Sequence, residues 1–226
     1  MSTEKLPAII PIKTIRLGKS RLSYIFNEDE RIHLINLLIS ITISELKKSS
    51  FIHPIILVSG DYEVKALAEK EDLIFLYENN SGVNNAVKIA DSYCMKSGYN
   101  SNIIIPHDIP FISSKSVDKI CQISFYYEKC IFLCPSLRMD GTNILLRKPV
   151  NLIHTCYDDD SYNQHFNLAK KSGAVYKSLF IKNLMFDIDD ITDISFFLEN
   201  IKDYEKISVG VKSLFHFLKS CKKIKY

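Results

Sequence analysis

Lys13, Arg16, Lys19 and Arg21 stand on one short stretch, with Gly18 and Ser20 between them. Four cations that close repel each other unless something anionic sits among them. They follow directly on residues 8–12, an apolar run with the pattern of a strand buried on both faces. The combination suits a polyphosphate held by side-chain charge at the carboxyl end of a first strand, where open α/β sheets bind ligands. The alternative is a solvated basic loop. The piece Gly18-Lys19-Ser20 is not the end of a nucleoside-triphosphatase P-loop: that motif needs glycine five positions earlier, and Lys13 stands there.

Carboxylates form the second set. Asp108 follows an apolar run at 102–106, and Pro110 fixes the chain's exit, an arrangement that suits Mg²⁺. A turn-forming aspartate is the alternative. Asp187 and Asp189 alternate after a strand expected over 175–180, so both point to one face, as divalent-metal binding needs. Asp190 precedes a helical stretch, so these acids also read as a helix N-terminus. Between the two groups, Glu78 to Asn85 opens a helix expected over 86–95. Gly82 permits close backbone approach, and Asn84 and Asn85 present amides free to pair with a nucleotide or to cap the helix.

The elements that must position these residues alternate along the chain. Asn27 followed by three acids starts a helix that runs to about Lys48. A strand over 55–58, a turn at Ser59-Gly60-Asp61, a helix to about Lys70 and a strand over 74–77 come next. Ser113 or Ser114 caps a further helix, and a fifth strand is expected over 130–134. This β-α-β-α-β-α-β-α-β run predicts an α/β fold with a doubly wound, mostly parallel sheet. Beyond it, Arg138 to Asn143 leads into a strand over 144–147. Ser161, crowded by Asp158, Asp159 and Asp160, is expected to cap a helix to about Ser172. A closing helix over 209–220 carries a core stripe of Val211, Leu214, Phe215 and Leu218.

Composition narrows the function classes. The chain has 226 residues, 46% of them hydrophobic, and a mean hydropathy of +0.01, ordinary for one globular domain over residues 1–226. A net charge of +3 does not suggest non-specific nucleic-acid binding. Lys219, Lys222, Lys223 and Lys225 read as a solvated helix end. Six cysteines without a Cys-x-x-Cys pair argue against zinc, and those within apolar runs read as small buried hydrophobes. The apolar stretch over 34–43 is too short to span a bilayer, which needs about 20 residues. With the first strand reached almost at once and no signal peptide expected, the sequence reads as a reduced cytoplasmic protein.

Taken in order, Lys13, Lys19-Ser20-Arg21-Leu22, Gly82-Val-Asn84-x-Ala86, Asp108-Ile-Pro110, Asp140-Gly-Thr-Asn143, Ser161-Tyr162-x-x-His165 and Asp187-Ile-Asp189 resemble the 2-phospho-L-lactate guanylyltransferase family of coenzyme F420 biosynthesis. The resemblance covers roughly residues 8–195. A broader layer of it is shared with other small nucleotidyltransferases of the Rossmann-like, nucleotide-diphospho-sugar transferase type fold. It implies GTP, Mg²⁺ and a three-carbon phosphorylated acid (2-phospho-L-lactate, phosphoenolpyruvate or 3-phosphoglycerate) joined through a diphosphate with release of pyrophosphate. It implies Lys13, Lys19, Ser20 and Arg21 on the triphosphate, Gly82 and Asn84 at the nucleoside, and Asp108, Asp187 and Asp189 at the metal. Thr142, Asn143, Asp158 and Ser161 would meet the acid. The family also suggests a dimer. Asp158 and Asp160 depart from it, standing where glycine is common, and acids there would repel an anionic substrate.

Three rivals remain from the residues. One is a nucleotidyltransferase acting on a sugar phosphate or a molybdopterin, which needs a wider acceptor pocket. Another is a glycosyltransferase, which would carry Asp-x-Asp where His107-Asp108-Ile109 stands. The third is a non-catalytic nucleotide-binding protein.

Overall fold

A computed structural model describes residues 5–79, 82–203 and 208–221. Asn80, Ser81 and the terminal lysines 222, 223 and 225 lie outside them. The elements run β1 (Leu6–Pro11), α1 (Glu28–Lys47), β2 (Ile52–Ser59), α2 (Tyr62–Lys70), β3 (Ile74–Tyr77), α3 (Val83–Lys96), β4 (Asn102–Ile104) and α4 (Ser114–Ser124). They continue with β5 (Cys130–Pro135), β6 (Thr142–Lys148), α5 (Ser161–Lys171), β7 (Val175–Ser178), α6 (Lys182–Met185), α7 (Ile191–Asn200) and α8 (Val209–Ser220). One seven-stranded sheet results, in the order β3-β2-β1-β4-β6-β5-β7. All pairings are parallel except those of β6, which runs antiparallel to both β4 and β5.

The inner strands β1, β2 and β5 are apolar over most of their length because helices cover both faces, whereas the edge strand β7 is largely exposed. Alternate residues divide between two cores. Ala8, Ile10, Leu57, Phe132 and Leu146 join the core under α1, α4, α7 and α8. Ile9, Ile56, Val58, Leu133 and Leu145 join the core under α3 and α5. Cys94, Cys121, Cys130 and Cys134 are buried free thiols, and desolvation raises the pKa of each. Among the described residues no helix is long and apolar enough to cross a membrane.

Several boundaries move for physical reasons. Asn27 closes a capping box with Glu30, each side chain taking the other's backbone N–H at 2.8 Å, so α1 starts where the sequence placed it. Ser161 is not a cap. It is the first residue of α5, and the cap position falls on Asp160, whose backbone is left-handed at φ 51° with no side-chain capping bond. The strand expected over 175–180 ends at Ser178, and the unforeseen short helix α6 follows. Asp187 and Asp189 therefore lie on the segment after α6 and not at a strand end. Ile188, fully buried between them, donates its N–H to the Asp108 carbonyl at 3.1 Å and pins that segment beside the end of β4.

Candidate active site

The loop leaving β1 is shaped by a residue first read only as part of a turn. Asp61 caps α2 through Oδ1 and accepts the Ile15 N–H at 3.0 Å through Oδ2. That bond fixes the 3-10 turn Ile15–Leu17 against the end of β2. Its four cations then part company. Arg16 turns to Glu28 and Glu63, at 3.3 and 3.7 Å, and leaves the cationic group. Lys13 is exposed at the mouth of a cleft of about 290 Å³ that Thr14, Glu78, Gly82 and Ala86 also line. Ser20 and Arg21 are exposed on the next 3-10 turn.

Lys19 alone turns inward. Its backbone is left-handed, φ 50°, which costs a non-glycine residue about 1 kcal/mol or more. Its ammonium lies 2.8 Å from Asp108 Oδ2 and 2.8 Å from Asp189 Oδ1. Burial pulls the lysine pKa down, but the two carboxylates outweigh it and the net shift is upward. Burial likewise pushes Asp108 up, and the Lys19 charge and hydrogen bond reverse it, leaving that carboxyl below its ordinary value.

Asp187 completes the group. Burial, and then the negative charges of Asp108 and Asp189, push its pKa up to about 7. Asn143 Nδ2 donates to Asp187 Oδ1 at 3.2 Å and to the Leu184 carbonyl at 3.0 Å. The asparagine expected at the acid substrate is thus tied to the carboxylate cluster. On the far side, Arg138 bridges Asp190 and Asp193 at 2.8 Å each. Asp190 itself caps α7 in a capping box with Asp193.

Among the described residues no three His, Cys, Asp or Glu side chains close on one point as a metal cage. The donor set still fits a hard divalent ion in type and charge. Two carboxylates share the Lys19 ammonium, and the third, Asp187, is raised first by burial and then by the negative charge of those two. Mg²⁺ is ordinarily held by one or two carboxylates plus substrate phosphates, not by a closed protein cage.

The remaining expected residues meet in two further contacts. Thr142, at the start of β6, and Ser161, at the start of α5, are both 4% exposed. The Thr142 N–H donates to Ser161 Oγ at 2.9 Å, and Thr142 Oγ1 lies 2.9 Å from His165 Nδ1. The asparagine amides expected to be free are paired. Asn85 donates to Glu78 at 2.9 Å, and Asn84 donates to Asp158 Oδ2 at 3.0 Å while accepting the Tyr157 N–H at 2.8 Å. Asp158 thus turns its charge to Asn84. Sequence reasoning missed Asp61 and Glu78 as organisers of the cleft; turn and loop chemistry was their only local signal.

The chain's similarities agree with this geometry. Residues 6–213 match the family model described as "Guanylyl transferase CofC like". A 2-phospho-L-lactate guanylyltransferase of Methanobrevibacter smithii is 30% identical over 91% of this chain and 92% of its own length. A phosphoenolpyruvate guanylyltransferase of Sphaerobacter thermophilus is 27% identical over 83% and 89%. A 3-phospho-D-glycerate guanylyltransferase of Colwellia psychrerythraea is 26% identical over 82% and 88%. In fold, the chain resembles a crystal structure from Desulfovibrio desulfuricans assigned as a nucleotide-diphospho-sugar transferase, with TM-score 0.75 at 13% identity over 96% and 98%. The chain belongs to the CofC-like guanylyl transferase family and is an enzyme of the nucleotidyltransferase type.

Proposed function

We propose that this enzyme transfers GMP from GTP to the phosphate of a three-carbon phospho-acid. The acceptors named for its relatives, 2-phospho-L-lactate, phosphoenolpyruvate and 3-phosphoglycerate, are the candidates. An acceptor phosphate oxygen attacks the α-phosphorus of GTP and forms the new P–O bond. The bond from the α-phosphorus to the α–β bridging oxygen breaks, and pyrophosphate leaves with that electron pair. The attacking oxygen is anionic near neutral pH, so no general base is required. The difficulty is bringing two anions together.

The observation that carries this reading is the Lys19 ammonium held between Asp108 and Asp189 at the carboxyl edge of the sheet, near the end of β1 whose loop also lines the cleft. Lys13, Lys19 and Arg21 neutralise and orient the triphosphate, with Ser20 beside them. Gly82 and Asn84, at the start of α3, border the nucleoside. Asp108, Asp187 and Asp189 would hold Mg²⁺, which when bound supplies charge neutralisation between the phosphates and on the leaving pyrophosphate. Thr142 and Ser161, with Asn143 and Asp158 nearby, receive the acid.

Pyrophosphate release from GTP and Mg²⁺, with each of the three acids alone, tests this. Release with one acid and not the others is the expected result and names the acceptor. A protein that binds GTP but releases no pyrophosphate with any of them overturns the proposal.

A further inference from the structure

We propose that His165 is a positioning residue for the acid acceptor: it sets the Thr142–Ser161 hydroxyl pair so that one O–H is turned to an anionic oxygen of the phospho-acid. This rests on the reading of Thr142 and Ser161 as acid-binding.

The hydrogens can be counted. The backbone N–H of Cys156 donates to His165 Nε2 at 2.8 Å, so Nε2 carries no hydrogen and the neutral ring carries its hydrogen on Nδ1. The 2.9 Å contact to Thr142 Oγ1 is therefore His165 donating. Ser161 Oγ takes the Thr142 N–H at 2.9 Å, and the two hydroxyl oxygens lie 3.3 Å apart. One hydroxyl hydrogen serves the bond between them. Two hydroxyls bring two hydrogens, so one is left over whichever way the shared bond points. Among the described residues nothing is recorded as accepting it. An O–H in so buried a place is unfavourable without an acceptor, and an anionic oxygen of the acid supplies one.

His165 can hold this pattern because it does not titrate near neutrality. Burial first, then the charges of Arg147 and His154, lower its pKa to about 4. The ring is fully buried and packs edge-on against Tyr157 with centroids 5.0 Å apart. Its Nε2 bond also fixes the segment from Cys156 that delivers Tyr157 and Asp158 to Asn84. One ring thus ties the acid-side hydroxyls to the start of α3.

The two amide replacements separate the ring's two bonds. His165→Asn sets an amide N–H where Nδ1 stood and keeps the donor to Thr142. His165→Gln reaches the Nε2 position, keeps the acceptor for the Cys156 N–H and drops the donor. Initial rates of pyrophosphate release are read for both variants and the wild type, with thermal melts alongside. The expected result is a rise of tenfold or more in KM for the acid in His165→Gln, with KM for GTP within twofold, and an acid KM in His165→Asn within about threefold of wild type. An unchanged acid KM in His165→Gln, equal rises in both KM values, or identical behaviour of the two variants overturns the inference. Should His165→Gln lose its cooperative melt, His165→Ala replaces it as the variant without the donor. Loss of the melt in all three makes His165 a packing residue, which also overturns it. A wild-type protein that turns over none of the three acids overturns the functional reading itself, and this inference with it; a wild type that turns over leaves the variants to judge the inference alone.

Discussion

Lys19 donates to Asp108 at 2.8 Å across 89 residues of chain, and the contact is almost closed to solvent on the lysine side. A left-handed lysine backbone persists there because the carboxylates of Asp108 and Asp189 fix its side chain. Lys19→Ala is expected to lower kcat/KM for GTP by about a hundredfold or more, the roughly 3 kcal/mol typical of losing one preorganised electrostatic contact. Lys19→Arg does not rescue it, since a planar guanidinium replaces a point charge between two carboxylates. Unchanged GTP kinetics in Lys19→Ala would return the loop to a solvated surface.

Asp108→Asn and Asp189→Asn are each expected to abolish turnover while keeping a cooperative melt. Each removes a negative charge from a group that already carries a surplus, so folding does not depend on it. Chelation of divalent ions is expected to stop the wild-type reaction, and added Mg²⁺ to restore it. Near-normal rates of both variants under saturating Mg²⁺ would remove the carboxylates from the metal site.

His165 makes stability depend on pH. Its folded pKa, about 4, lies below the ordinary value of 6.5 because burial penalises the cation. Between those two values the unfolded chain binds the proton and the folded chain does not. The stability contribution is therefore complete above about pH 6.5 and is lost as pH falls toward 4. Asp187, whose pKa is pushed up to about 7, opposes this over the same window, and the lowered His107 adds to it, so the difference between two proteins is what reports His165. In urea unfolding the wild type is expected to lose stability relative to His165→Asn as pH falls from about 6.5 toward 4. Equal slopes in the two proteins would refute the assignment.

Arg147 is fully buried, and its guanidinium is paired with Asp91, which also accepts from Asn102 Nδ2 at 2.8 Å. Asp91→Ala leaves that charge uncompensated in the core and is expected to cost about 3–5 kcal/mol in urea unfolding. This pair joins α3 to β6 away from the carboxylate cluster, so activity per folded molecule at low temperature should persist. A loss below 1 kcal/mol would show that water reaches the guanidinium.

Much of the fold was legible because its signals are local. Capping at Asn27, apolar runs at strand length and the β-α alternation depend on neighbours a few residues apart. The antiparallel insertion of β6 between β4 and β5 was not legible, since an apolar strand carries no mark of its direction. Ser161 looked like a cap because serine favours that position. Its hydroxyl is instead taken by Thr142, on a strand 19 residues away in sequence.

The residues of the candidate site divide the same way. The sequence by itself determined the supply of charge: cations after the first strand, Asp108 after the fourth, and Asp187 and Asp189 near the end of the sheet's run. Only the tertiary structure decided which of them meet. Arg16 is drawn off by Glu28 and Glu63, Asn84 by Asp158, and Asn143 by Asp187. Lys19 and Asp189 converge although 170 residues separate them. Periodicity and residue type report what one segment can do, whereas partners at that separation are chosen by strand order and crossovers, which no local pattern encodes.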